Sequence, residues 1–349
     1  MLPKVAIVMT VKNEERILRK NILYHQSIGV SHFFIYFDGT TDKGRESIID
    51  LENVTSSKSV SKETYQNNQS LELFIDRYVT HHTARQCLNT HDAKQQCKRD
   101  GIDWLISIDP DELVVPDNKK DVISFFKDIN QKIDLVHFNV YECLQRKEHY
   151  TDVFREEVLF KRETPFIRNS FFPDILNTGR VKNSYVYGHS AGKAALRVNS
   201  QIIPWTVHTY TTSSGTPPNT IHVGKLLHYH SYDFEDFMKK FTNFRNYPST
   251  LIHGDLSERQ KKFFVNLVNS SNLRQKELRS FFTQHILFSR SELFKIRLMN
   301  FIYRILMKNP ILIKETFVSK KLQKIDDTYK ESSPSFTEAK TEILEKVSS

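Results

Sequence analysis

The chain has 349 residues, with 50 lysines and arginines against 41 acids. The resulting formal net charge of +9 favours anionic partners such as nucleotides, nucleic acid or a lipid surface. At 39 % hydrophobic and 26 % charged residues it reads as a soluble globular protein that can bury one large core or two small ones. No segment is apolar and long enough to span a bilayer, the opening Met-Leu-Pro-Lys carries no signal-peptide core, and Cys87, Cys97 and Cys143 make no Cys-x-x-Cys pair; this disfavours a transmembrane protein, a disulfide frame and a zinc site, and a cytoplasmic protein with reduced thiols is expected.

Residues 5–10 (VAIVMT) form a short apolar run, the pattern of a central strand. Residues 14–26 predict a helix with Ile17, Leu18, Ile22 and Leu23 on one face, Asn13 as its N-cap and two glutamates at the positive end of its dipole. A second strand, 32–37 (HFFIYF), ends at Asp38-Gly39-Thr40-Thr41-Asp42, and a helix is expected through about Leu51. Strand-helix-strand-helix predicts a parallel sheet with right-handed crossovers. The Asp38 loop is no EF-hand, because Lys43 stands at the glycine position and Ile49 at the bidentate glutamate. A strand-end aspartate in such a sheet is placed to accept hydrogen bonds from a base or ribose; a simple Asx-turn is the alternative. The polar stretch 53–70 reads as a loop, 71–75 as a third strand and 83–99 as a helix carrying Gln86, Cys87, Gln95 and Cys97.

The stretch 104–115 (WLISIDPDELVV) organises the rest. It reads as a buried strand with Asp109, Asp111 and Glu112 gathered at one end, where Pro110 forces a turn. Carboxylates at the carboxyl edge of an open α/β sheet lie where such folds bind ligands. Hard oxygen donors this close suit Mg²⁺ or Mn²⁺, which can hold a diphosphate; the alternative is a solvated, inert strand exit. Residues 122–129 then read as helix and 134–141 as strand.

Four segments now carry a resemblance: Val11-Lys12-Asn13-Glu14; Tyr24-His25 followed by Gly29-Val30; Phe37 to Asp42; and Trp104 to Leu113. In this order and spacing they resemble glycosyltransferases of the family-2 and family-92 type, with a GT-A fold, an α/β nucleotide-diphospho-sugar transferase architecture on a Rossmann-like mixed sheet. The resemblance implies a metal-dependent transfer from a nucleotide-sugar donor, a UDP-sugar, to a glycan or lipid-linked acceptor; inversion is the expected stereochemistry, with a retaining mechanism as the alternative. Asp38 would contact the uracil or ribose, and Asn13 and Glu14 would line the same pocket. Asp109 would meet ribose or the metal, Asp111 would be the principal ligand of Mn²⁺ or Mg²⁺, and Glu112 belongs to the motif with a structural role open to it. A cation there would neutralise charge developing on the diphosphate leaving group.

The second half is less legible. Lys161, Arg162 and Arg168 lie among aromatics in 160–172. Gly192-Lys193 precedes a strand at 194–198 and is no P-loop. Similar transferases repeat a Gly-Lys here, so Lys193 meets the diphosphate or the acceptor, or else is a solvated turn lysine. Residues 226–237 (LLHYHSYDFEDF) resemble the family's His-Tyr segment followed by an amphipathic helix ending near Lys240; Asp233 stands where the family has Ser, and remains able to cap. By that resemblance His228 is a direct or second-sphere metal ligand, and His230, two residues on, faces the same way in a strand. For the catalytic base, Asp174 is the candidate, with Glu156, Glu157 and His189 as rivals.

From about Ser257 the character changes. A capping-box pattern, Ser257 with Gln260, precedes Phe263, Phe264, Leu267 and Val268. Residues 292–308 set Phe294, Leu298, Phe301, Ile302 and Ile305 at helical spacing, with Lys295, Arg297, Arg304 and Lys308 beside them. That helix either closes the core or lies on the inner leaflet of a membrane as a peripheral anchor. The expected division is a catalytic domain at 1–250, a helical region at 251–325 and a polar, disordered tail at 326–349. Two other classes are a Mg²⁺-dependent nucleotidyltransferase and a basic nucleic-acid-binding protein; scattered basic residues and the lack of a nucleic-acid motif speak against the second, and no nucleic-acid partner is expected.

Overall fold

The computed structural model describes residues 2–117, 121–162, 191–246, 258–306 and 310–332. Arg168, Asp174, His189 and Lys308, and Ser257 of the expected capping box, lie outside the described residues.

The chain opens with β1 (Val5–Val11), α1 (Leu18–Ser27) and β2 (His32–Phe37). Both strands are covered on both faces, which is why their sequences are continuous apolar runs and not alternating ones. α1 starts at Leu18, not at 14: residues 15–17 form a turn with Ile17 at the N-cap position, and Asn13 takes a left-handed φ of 58°, which asparagine is among the few residues to tolerate. The helix expected after the Asp38 loop is only a 3₁₀ turn, Glu46–Ile48.

β3 (Val54–Lys58) lies inside the stretch expected to be a loop. It is a sheet edge whose side chains are mostly exposed, so its sequence is polar and gives no apolar signal. The apolar run expected as a third strand is instead α2 (Glu72–Asp76); a run that short fits either state. α3 (His82–Arg99), β4 (Trp104–Ser107), β5 (Glu112–Val115), α4 (Val122–Lys127) and β6 (Leu135–Cys143) follow. The predicted 104–115 strand is thus two strands joined by the acidic turn. Next come α5 (Val153–Glu156), β7 (Leu159–Arg162), β8 (Ala194–Arg197), β9 (Ile202–Pro204), β10 (Tyr210–Thr212), β11 (Thr220–His228) and α6 (Phe234–Asn243).

The sheet order is β3-β2-β1-β4 in parallel, then β8, β6 and β7 in antiparallel succession. β11 joins β6 in parallel and β5 in antiparallel. This is the mixed α/β sheet the resemblance implies. Its register matters for the site: Val11 lies beside Phe37 and Val8 beside Ser107, so the loops carrying Glu14, Asp38 and Asp109 leave the same carboxyl edge.

The C-terminal region holds α7 (Glu258–Val268), α8 (Gln275–His285), α9 (Arg290–Leu306), β12 (Leu312–Lys314) and α10 (Phe317–Ser332). It is not wholly helical, because β12 pairs with β7 and extends the main sheet. α10 runs on past Asp326, where a disordered tail was expected, and buries Val318 and Leu322 in the main core. An aromatic cluster built from Phe237, Phe241, Phe264 and Phe282 binds α6 to α7 and α8. Each such side chain taken out of water contributes roughly 1.5–3 kcal/mol.

Candidate functional site

The acidic turn between β4 and β5 is held by α1. The Asn21 side-chain amide donates to the carbonyls of Pro110 (2.8 Å) and Glu112 (2.9 Å). Tyr24 donates its hydroxyl to the Val114 carbonyl (2.7 Å), and His25 Nε2 accepts the Val114 N–H (3.1 Å). The Tyr-His pair of the resemblance is therefore a backbone clamp on β5. Within the turn, Glu112 accepts the Asp109 N–H (2.7 Å) and its own N–H donates to the Asp109 carbonyl (3.1 Å). Glu112 thus has the structural role, and burial pushes its carboxyl up to about 7.

Asp109 and Asp111 are left facing a cleft that Glu14, Asp38, Arg85 and Lys240 also line. Gln86 donates to Asp109 Oδ1 (2.9 Å) and Lys193 Nζ lies 3.0 Å from its Oδ2. Burial works against ionising Asp109, but Lys193 outweighs it and keeps the carboxyl below its usual value. Lys193 is 2 % exposed, so it is not a solvated turn lysine. Gly192 allows this: a Cβ there would sit 2.3 Å from the Phe138 carbonyl oxygen.

Asp111 Oδ2 lies 3.1 Å from Lys240 Nζ and 3.6 Å from His228 Nε2. Burial opposes its charge, yet these two cations hold the carboxyl well below the usual range. His228 pairs with Glu112 across β11 and β5, and its Nδ1 faces Glu142 Oε1 at 3.4 Å, with Lys161 on Glu142 at 2.7 Å. Burial alone would lower the His228 pKa; Asp111 and Glu142 raise it to about 10. His230 accepts from Lys240 through Nδ1 (2.9 Å), and burial with that neighbouring ammonium keeps it well below its usual value. Both histidines therefore reach the Asp111 corner.

Asp38 is gripped by Arg85, whose Nε donates to Oδ1 (2.7 Å) and Nη2 to Oδ2 (2.8 Å), while the Ser59 hydroxyl adds a third bond (3.1 Å). Arg85 was missed in the sequence, where an arginine in a helix gives no sign of a partner 47 residues away. Asn13 accepts from the Thr41 N–H (2.7 Å) and donates to Asn243 (3.0 Å), so its amide ties together the loops around the cleft. Glu14 pairs with Lys239; burial pushes its carboxyl up to about 8 although Lys239 pulls the other way. Asp233 caps α6 through the Asp236 N–H (2.9 Å) and also binds Arg16 at 2.7 Å, a pairing that serine could not make. Glu156 bonds Lys147, and the buried Glu157 bonds Arg146 and Tyr150, which commits both carboxylates outside the cleft.

The donor set at Asp111 fits a divalent cation. Asp111 Oδ2 and His228 Nε2, 3.6 Å apart, could share an ion at bond lengths of about 2.1 Å once the incoming metal displaces the His228 proton; the carboxylate oxygen suits Mn²⁺ or Mg²⁺, and an imidazole nitrogen beside it favours Mn²⁺ over the harder Mg²⁺. Among the described residues, His149, Asp233 and Glu235 are the one group of three metal-type side chains mutually close enough to share an ion. Arg16 already occupies their buried member, Asp233.

A mixed α/β sheet with a paired-aspartate turn at the carboxyl end of β4 and a third aspartate at the carboxyl end of β2, on the far side of β1, has the layout of a GT-A fold. Residues 8–264 match the family described as Glycosyltransferase family 92, and the chain belongs to that family. Two Arabidopsis thaliana proteins described as glycosyltransferase-like are 24 % and 23 % identical to it over 234 residues, 63 % of this chain and 52 % and 45 % of theirs. The chain thus spans about half the length of these relatives. Solved structures similar to it include glucosyl-3-phosphoglycerate synthase from Mycobacterium tuberculosis with Mn²⁺, UDP and glucosyl-3-phosphoglycerate (12 % identity, TM-score 0.31, 70 % of this chain and 80 % of that one). The same enzyme with Mn²⁺, UDP and phosphoglyceric acid matches at 14 % identity, TM-score 0.28 and 56 % of each chain.

Proposed function

We propose that this chain transfers a sugar from a nucleotide-sugar donor, a UDP-sugar, to an acceptor hydroxyl on a glycan or lipid-linked substrate. The observation that carries the reading is that Asp38, Arg85, Asp109, Asp111 and Lys240 line one cleft, with His228 Nε2 3.6 Å from Asp111. Asp38, pre-set by Arg85, orients the nucleoside. Lys240 lines the cleft and would meet the diphosphate, while the buried Lys193 pairs with Asp109. Asp111 and His228 would hold Mn²⁺ or Mg²⁺, which when bound neutralises charge on the departing diphosphate. Asp109 serves the ribose or the same ion. Asp174 is the proposed base, and the transfer inverts the anomeric centre. A thermal-shift series with UDP-sugars, with and without Mn²⁺, tests this, because a ligand that binds only the folded state raises the melting temperature. No shift with any sugar nucleotide in the presence of Mn²⁺ overturns the reading.

A peripheral position on the inner face of a membrane completes the proposal. No helix among the described residues is long and apolar enough to cross a bilayer. α9 instead turns an apolar face outward: Phe294 is 68 % exposed, Leu298 51 %, Phe301 61 % and Ile305 61 %. Exposed Lys295, Arg297 and Arg304 accompany them, a combination suited to an anionic lipid surface.

A further inference from the structure

α6 carries two consecutive lysines, and the helix turns them onto different carboxylates. Lys239 bonds Glu14 and lies 2.8 Å from Asp236. Lys240 reaches Asp111 Oδ2 at 3.1 Å and His230 Nδ1 at 2.9 Å. One turn on, Asn243 accepts from Asn13 and donates to the Lys12 carbonyl, which pins this end of α6 against the cleft. Lys240 is therefore held at the corner where the acidic turn, the histidine strand and the cleft meet. Its side chain is 22 % exposed, so it keeps an open side toward the cleft.

Asp111 Oδ2 is the oxygen that both Lys240 and His228 face. A dication bonded there at about 2.1 Å would lie within about 5 Å of the ammonium, a range at which like charges disfavour each other. The protein thus holds a cation of its own on the oxygen the metal needs. A diphosphate changes the balance, since its negative charges offer the ammonium a new partner in the cleft it already lines.

We propose that Lys240 couples the two ligands: it opposes a divalent cation at Asp111 while the nucleotide is absent, and it releases Asp111 to bind the diphosphate when the nucleotide is present. This rests on the donor-site reading above and adds to it an order of events. Coupling between sites is reciprocal, so the same residue that weakens the metal alone strengthens the nucleotide once the metal is in place.

The test uses the full chain and two equilibrium readouts, Mn²⁺ affinity without nucleotide by electron paramagnetic resonance and UDP affinity at saturating Mn²⁺ by calorimetry. K240M should bind Mn²⁺ alone about tenfold more tightly and UDP about tenfold more weakly, opposite shifts that a general loosening of the site would not produce. K240R, which keeps the charge, should keep the wild-type pattern. K240Q gives the same comparison if the melting curve of K240M shows that it does not fold. Mn²⁺ affinity that is unchanged or weaker in the neutral variants, or UDP affinity that is unchanged, overturns the proposal. D111N separates the two levels of argument. If it abolishes Mn²⁺ binding while the lysine variants behave as wild type, only the role of Lys240 falls; if the wild type binds no Mn²⁺ with or without UDP, the metal reading falls with it.

Discussion

His25 accepts the backbone N–H of Val114 through Nε2 at 3.1 Å, while its Nδ1 lies 2.9 Å from the Asn21 carbonyl oxygen and 2.8 Å from Asn21 Oδ1. Nδ1 therefore donates and Nε2 accepts, which fixes the neutral ring. A buried histidine so placed joins helix α1 to the strand that leaves the acidic turn. The turn's geometry depends on that contact as much as on its own aspartates.

Acid sensitivity follows from this bond. Burial lowers the His25 pKa from the usual 6.5 to about 3, and its bond to Asn21 offsets only part of that. The folded pKa lies below the unfolded one, so the unfolded chain binds the extra proton between these values. The contribution is fully present above pH 6.5 and is lost as pH falls toward 3, by up to about 1.4 kcal/mol per pH unit. Denaturant unfolding across that window should show this slope. His25→Gln should be less stable at pH 7, by roughly 1–3 kcal/mol, but flatter with pH. An unchanged slope in the variant would locate the acid sensitivity elsewhere.

How much of this could be read in advance follows from what each residue contacts. β1, β2 and β4 are legible because strands covered on both faces need unbroken apolar runs. β3 is not, since an edge strand with exposed side chains looks like any polar loop. Asp38, Asp109 and Asp111 line one cleft and His228 faces Asp111, because strand register brings short local patterns to one edge. Arg85 and Lys240 stayed hidden: their partners are distant in the chain, and a lysine or arginine on a helix looks solvated until the neighbouring elements are placed. Asn13, expected both as an N-cap and in the nucleotide pocket, does not cap α1; a left-handed asparagine and a capping asparagine look the same in one dimension.

Asp111→Asn should reduce turnover by roughly 100-fold or more, with the far-ultraviolet circular dichroism unchanged. The amide keeps the side chain's shape but withdraws the charge that Lys240 and His228 face. Wild-type activity should be lost in EDTA and restored by Mn²⁺ or Mg²⁺. Near-normal turnover of the variant in EDTA would show that the transfer does without a metal at this residue.

Asp38 and Arg85 should act as one unit in holding the nucleoside. Asp38→Ala and Arg85→Ala should each weaken UDP and a UDP-sugar by similar factors, roughly 10- to 100-fold, since each removes a charged hydrogen-bonding pair. The double variant should be little worse than either single one, because the two side chains form a bidentate pair. Calorimetry with UDP and with the intact sugar nucleotide distinguishes the alternatives; a loss confined to the sugar nucleotide would move Asp38 to the sugar.

The last expectation concerns α9, which lies beyond the family match at residues 8–264. Its two faces divide the apolar residues. Ile296, Met299 and Tyr303 point inward and are buried with the α6–α8 cluster, so they hold the helix on the protein. Phe294, Leu298, Phe301 and Ile305 are left outside, where core closure cannot explain them. Lys295, Arg297 and Arg304 are exposed on the same helix, and each basic group near an anionic surface contributes about 1 kcal/mol. Burial of the apolar side chains at the lipid boundary adds to that attraction, which gives reversible attachment without a spanning segment. In a flotation gradient the protein should rise with anionic vesicles at low salt and stay at the bottom with neutral ones. Lys295→Glu with Arg304→Glu should release it while the melting temperature holds, because both side chains are solvent-facing. If the wild-type protein remains at the bottom with anionic vesicles at low salt, the exposed stripe is not a membrane surface and the acceptor must be reached in solution.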